Sequence, residues 1–191
     1  MFYWIVKIDN IIPEHLDAVI RKLEEIGTAH LIGSYRMDMM VWNDLDIDIE
    51  NQNMSQEKLY EMTIFILNRF HPVWYEGKEE IDDKGKKVWF LGFETMITGK
   101  LWNVDLWFFD RDTIRDAEAY CNNISMNTTP AQKDAIIDIK TELIARELYS
   151  DDKYKSMDIY RAVMEHNVKT IEEFIRRQTN EHHNKTISDT I

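Results

Sequence analysis

Apolar residues recur at helical spacing from Pro13 to Ile26, with Leu16, Val19, Ile20, Leu23 and Ile26 on one stripe. Pro13 suits a first turn and Gly27 a stop, so the spacing predicts a helix between them. The period then changes. Ala29 to Gly33 reads as a short buried strand, a turn or half-helix follows Gly33-Ser34, and Asp44 to Ile49 alternates acidic and apolar residues strictly, as a strand does. Leu59, Met62, Ile66 and Leu67 restore the helical period up to Phe70, ahead of Pro72, and Asn53 with Gln56 has capping-box spacing. Pro72–Glu76 and Lys87–Ile97 read as strands flanking the hairpin-like signal Asp82-Asp83-Lys84-Gly85. Lys100–Phe109 follows directly after Thr98-Gly99, so the two long runs are expected to pair antiparallel. Within the second, period 2 puts Leu101, Asn103, Asp105, Trp107 and Phe109 on one face and Trp102, Val104, Leu106 and Phe108 on the other.

Beyond Asp110 the strand signal ends. Thr129-Pro130-Ala131-Gln132 opens a helix with an N-cap, a first-turn proline and a box glutamine, and Ile136, Ile137, Ile139, Leu143, Ile144 and Leu148 follow. Two further helices flank a break near Asn167, and the residues after Gln178 lack a core pattern and are expected to fray. The pattern predicts an α+β fold, a mixed sheet with flanking helices over residues 1–110, then a C-terminal helical region at 111–180 and a flexible tail at 181–191.

Composition narrows the class. At 191 residues, 44% hydrophobic and 30% charged, the chain fits a soluble globular protein with one well-packed domain and a helical appendage. No apolar run approaches the roughly 20 residues that cross a bilayer. Lys7 and Asp9 interrupt the opening run, and no small-residue cleavage pattern follows, so a secretory leader is not expected. The single cysteine, Cys121, allows no internal disulfide and points to a reducing, cytoplasmic setting. A net charge of −12 argues against nucleic acid as the main partner. It suits a cationic small molecule, and serves solubility equally well.

The candidate chemistry lies on the alternating strand. Asp44, Asp46 and Asp48 share one face, where like charges repel unless that face meets water or holds a cation. Gly33-Ser34, nine intervening residues, Asp44-Leu45-Asp46 and then Asp105 within Asn103-Val104-Asp105-Leu106 stand in an order that resembles the DNA polymerase β-like nucleotidyltransferase superfamily. The wording of Asn43–Ile47 is especially similar to its antibiotic-modifying branch, the lincosamide and aminoglycoside nucleotidyltransferases.

The resemblance covers the head to about Phe109 and implies a nucleotidyltransferase-like fold and transfer of a nucleoside monophosphate from ATP or another NTP to a hydroxyl, with release of pyrophosphate. It implies that Asp44 and Asp46 bind Mg²⁺ and that Asp105 joins a second ion and stands as general base. Two residues apart on a strand, Asp44 and Asp46 project to one side about 7 Å apart. Two ions roughly 3.5–4 Å apart clamp both oxygens of an in-line displacement. Gly33 would let backbone approach phosphate, Ser34 would offer its hydroxyl and N–H, and Arg36 and Lys100 are candidate phosphate contacts. The reading taken from charge and the Asn43–Ile47 wording is a small-molecule acceptor, an aminoglycoside-like polycation and hence antibiotic resistance, with no nucleic acid and no membrane partner.

Other readings stay open. Asp44, Asp46 and Asp48 are alternatively a solvated strand face, or the metal pair is shifted to Asp46 and Asp48. The chain departs from the family pattern in having no glycine and only Arg36 as a basic residue between Gly-Ser and the Asp pair. An enzyme that transfers AMP to protein, as toxin–antitoxin members do, and a non-catalytic nucleotide-binding descendant are the competing functions. The histidines lack zinc-ligand spacing, and no P-loop or nucleophile-elbow pattern occurs.

Overall fold

The computed structural model describes residues 17–82, 84–150 and 152–188. Pro13, His15, Leu16 and Asp83 lie outside the described residues, as do the side chains of Val19, Ile20, His182 and His183. The described residues group into two compact units, 17–38 with 42–122 and 39–41 with 123–188.

The first unit is built on a five-stranded mixed sheet. Helix α1 (Asp17–Glu24) leads into β1 (Thr28–Leu31), the single helical turn α2 (Gly33–Arg36) and β2 (Asp44–Glu50). Then come α3 (Gln56–Phe70), β3 (Trp74–Ile81), β4 (Lys87–Ile97), β5 (Lys100–Phe109) and α4 (Arg111–Asn127). The strand order is β1-β2-β5-β4-β3, and only the β2–β5 pair is parallel. This is the α+β arrangement that the alternating patterns predict.

Alternation gives the sheet two unlike faces. Leu45, Ile47 and Ile49 of β2, Val104, Leu106 and Phe108 of β5 and Leu91 and Phe93 of β4 form one buried cluster with Leu59, Met62 and Ile66 of α3 and Leu23 of α1. The opposite face carries the carboxylates.

One helix start differs from the sequence pattern. The N-cap of α3 is Ser55, whose hydroxyl accepts from Lys58 N–H at 3.4 Å, and not Asn53. Asn53 is drawn into a turn, its N–H donating to Asn51 Oδ1 at 2.7 Å. The C-terminus is as expected: His71 takes the left-handed conformation at φ 46° just before Pro72. Helix α4 falls within the region expected to be helical, but no apolar stripe delimits it, because its buried residues, Ile114, Cys121 and Ile124, are sparse among polar ones. Asp110 starts it by accepting from Thr113 N–H at 2.9 Å. Residues 111–122 belong to the first unit and 123–127 to the second.

The second unit contains α5 (Pro130–Ala145), α6 (Ser156–His166) and α7 (Ile171–Ser188). Thr129 and Gln132 form the expected reciprocal capping box, and Asn167 ends α6 at φ 53°. Ile136, Ile139, Leu143, Ile159, Val163 and Phe174 are buried. So is Lys140, whose Nζ donates to Met39 O at 3.2 Å. The backbone of α7 continues to Ser188, into the segment without a core pattern. No helix among the described residues is long and apolar enough to cross a membrane.

Candidate active site

Parallel pairing of β2 with β5 sets Asp46 opposite Asp105 and Asp44 opposite Asn103. Because these positions lie on one face of each strand, the three aspartates converge. One carboxylate oxygen from each of Asp44, Asp46 and Asp105 lies within 4.8 Å of the other two, and all three residues are half-buried. Such proximity raises the cost of ionising all three, and a divalent cation relieves it. The donors are hard oxygens, which suit Mg²⁺ or Mn²⁺ and not a thiolate-seeking metal.

The surroundings fix these side chains. Asn103 Nδ2 donates to Asp44 Oδ1 at 2.9 Å. Asn43 and the β5 entrance bind each other twice, Asn43 Nδ2 to Leu101 O at 3.0 Å and Asn103 N–H to Asn43 O at 2.9 Å. The asparagine preceding each acidic motif therefore stitches the two strands in the register that the triad needs.

Two glycines make room for the carboxylates. Gly33 has φ +67°, and a Cβ there would fall 1.9 Å from Asp46 Oδ2, so no side chain fits. The preceding Ile32 N–H donates to Asp46 O at 3.1 Å, tying the end of β1 to the same residue. Gly92 on β4 pairs with Asp105, and a Cβ there would lie 3.0 Å from Asp105 Oδ1 and 2.6 Å from Phe90 Cζ. The Phe90 ring thus lies across Gly92, close to the Asp105 carboxylate. Nothing in the hydrophobic pattern marks Gly92 as a site residue. A lone glycine inside an otherwise bulky strand marks a close approach of this kind.

Asp48 stands apart from the triad. It is 1% exposed, and burial first, then the Glu118 charge, pushes its carboxyl up to about 7. Its Oδ1 finds no hydrogen-bond partner among the described residues. The alternating face is thus neither wholly solvated nor wholly metal-binding: two aspartates join Asp105, and the third is a buried acid.

The remaining candidates separate. Ser34, 6% exposed, lies in the turn of α2 beside Gly33. The Arg36 side chain is 7% exposed, and its guanidinium donates to Leu31 O at 3.1 Å, Glu118 Oε1 at 3.4 Å and Asn122 Oδ1 at 2.8 Å. Lys100 is exposed at the β4–β5 corner, five positions from Asp105 and on the opposite strand face. The structure does not bring it to the triad.

No family model matches the sequence, and no curated protein matches it significantly. Solved structures do. The chain is similar to a cytoplasmic RNA terminal U-transferase, with a TM-score of 0.55 and 15% identity over 78% of this chain and 45% of that one. It is similar also to Cid1 poly(U) polymerase with Mg 3′-dATP bound, at TM-score 0.55 and 14% identity over 78% and 46% of the two chains. A complex of Cid1 with the UTP analogue UMPNPP gives a TM-score of 0.52 at 13% identity. The mixed sheet with flanking helices is therefore a fold that this chain shares with these solved structures. The chain spans about half the length of these proteins, and they lend no support to the antibiotic-modifying branch that Asn43–Ile47 resembles.

Proposed function

We propose that the chain is a metal-dependent nucleotidyltransferase. The observation that carries this reading is the convergence of Asp44, Asp46 and Asp105 from two parallel strands, within 4.8 Å, in a fold of this class. Asp44 and Asp46 would hold a divalent cation that accompanies an NTP, and Asp105 would help hold a second. Bound there, the cations would neutralise the triphosphate and ease ionisation of the attacking hydroxyl. Asp105 would take the proton of that hydroxyl. The new bond joins the acceptor oxygen to the α-phosphorus, the bridge between α- and β-phosphates breaks, and pyrophosphate leaves. Gly33 and Ser34 would receive the outer phosphates at the turn that rests on Asp46.

The acceptor is a macromolecular hydroxyl. An RNA 3′ end is the first choice, since structures of this fold include an RNA terminal U-transferase and a poly(U) polymerase. A protein hydroxyl is the second, favoured by the net charge of −12, which repels a phosphate backbone. The small-molecule acceptor expected from the sequence has no support in the comparisons and becomes the third arm of the test. Wild type and Asp46→Ala are incubated with α-labelled ATP or UTP and Mg²⁺ in the presence of RNA, lysate protein or an aminoglycoside panel. Label is expected in RNA or protein, dependent on Mg²⁺ and lost in Asp46→Ala. Absence of transfer in every arm, or transfer undiminished by the substitution, contradicts the proposal.

A further inference from the structure

We infer that Arg36 is a positioning residue, which together with Glu118 and Asn122 fastens the Gly33–Ser34 turn to α4 and so sets the phosphate-binding backbone against Asp46. The inference rests on the reading of that turn as the phosphate site. It departs from the expectation that Arg36 touches phosphate itself.

The guanidinium is a rigid planar fork, and here it reaches three acceptors on two separate elements. Leu31 O closes β1, while Glu118 and Asn122 lie one turn apart on α4, at 3.4 and 2.8 Å. Glu118 is shared: its Oε1 also meets His30 Nδ1 at 3.2 Å. β1, α2 and α4 therefore meet at one carboxylate. A guanidinium engaged in this way and 7% exposed is poorly disposed to turn outward and meet a triphosphate.

Position matters in this turn more than in most. A Cβ at Gly33 would already lie 1.9 Å from Asp46 Oδ2, so the backbone rests directly on a carboxylate of the triad. Displacements near 1 Å at a reacting centre cost about two orders of magnitude in rate. Cys121, 4% exposed, lies on α4 beside Asn122 and close to Gly33 and Arg36. Being the chain's only cysteine, it is a natural reporter of whether the turn is seated.

The test uses the full chain with Arg36→Met, Arg36→Lys and Asn122→Ala. Four quantities are read: the rate of Cys121 labelling by a thiol reagent, the affinity for Mg·ATP by calorimetry, the affinity for Mn²⁺ alone, and thermal melting. All three variants are expected to label about tenfold faster and to bind Mg·ATP about tenfold more weakly, with Mn²⁺ affinity unchanged. Asn122→Ala is decisive, because it removes no charge and survives as a test if Arg36→Met fails to fold. Weaker Mg·ATP binding in the Arg36 variants, with Asn122→Ala indistinguishable from wild type, assigns Arg36 to the phosphate and overturns the inference. Faster labelling with unchanged Mg·ATP affinity overturns the functional half of it. If wild type binds no Mg·ATP, the nucleotidyltransferase reading fails, and the labelling rates still decide whether Arg36 seats the turn.

Discussion

Gly92 shows how a residue without functional groups can govern one that has them. Its missing side chain leaves the space in which Phe90 lies across β4 and Asp105 turns toward the triad, a Cβ there being 2.6 Å from Phe90 Cζ. Gly92→Ala should displace ring and carboxylate together and lower Mn²⁺ affinity by about tenfold, as loss of a supporting contact at a metal site does. Titration of Mn²⁺ into both proteins checks this, and an unchanged affinity would show that Asp105 is placed by other contacts. Asp48 makes a different prediction. Its folded pKa, about 7, lies above the ordinary 3.8, so folding favours the protonated form. The stability tied to it is complete below about pH 4 and is lost as pH rises through 7. At the alkaline end the loss is on the order of 4 kcal/mol. Asp48→Asn should therefore melt higher than wild type at pH 8 and no higher at pH 4. Melting curves in chelator across that range test it, and parallel pH profiles for the two proteins would contradict it.

Elements were legible where a period was strong. The strict alternation of β2 and the two-sided pattern of β5 gave both strands, and with them the faces that carry Asp44, Asp46 and Asp105. What the pattern could not contain was the parallel register that sets Asp46 against Asp105, since register depends on Asn43 and Asn103 binding across the strands. Helix α4 was not delimited within the expected helical region because its apolar stripe is thin, and so the burial of Asp48 near Glu118 was not legible either. Arg36 reads from sequence as a candidate phosphate contact because its partners Glu118 and Asn122 sit on the helix that the pattern left undelimited. Caps were legible where the box was complete. Thr129 and Gln132 satisfy each other's backbone, with Thr129 N–H donating to Gln132 Oε1 at 3.0 Å. Thr129→Ala should cost about 1 kcal/mol of unfolding free energy, measured by urea titration at 222 nm. A cost near zero would mean that α5 is held by packing alone.

For the molecule as a whole, fold and chemistry agree better than charge and acceptor do. A chain with net charge −12 shares its fold with enzymes that extend RNA, while spanning about half their length. Charge and the Asn43–Ile47 wording led toward a cationic small acceptor, while the similar solved structures lend it no support and make RNA or protein the proposed one. The acceptor was not legible in the sequence, whereas alternation put the three aspartates on strand faces and the resemblance grouped them. The central claim is that Asp44, Asp46 and Asp105 jointly hold divalent cations carrying a nucleotide, and calorimetric titration of Mg²⁺ with a non-hydrolysable ATP analogue into wild type and Asp105→Asn tests it most directly. Saturable binding by wild type, weakened at least tenfold by a substitution that leaves melting unchanged or raised, is the expected result. Equal affinity in the two proteins, or binding by neither, would contradict the account.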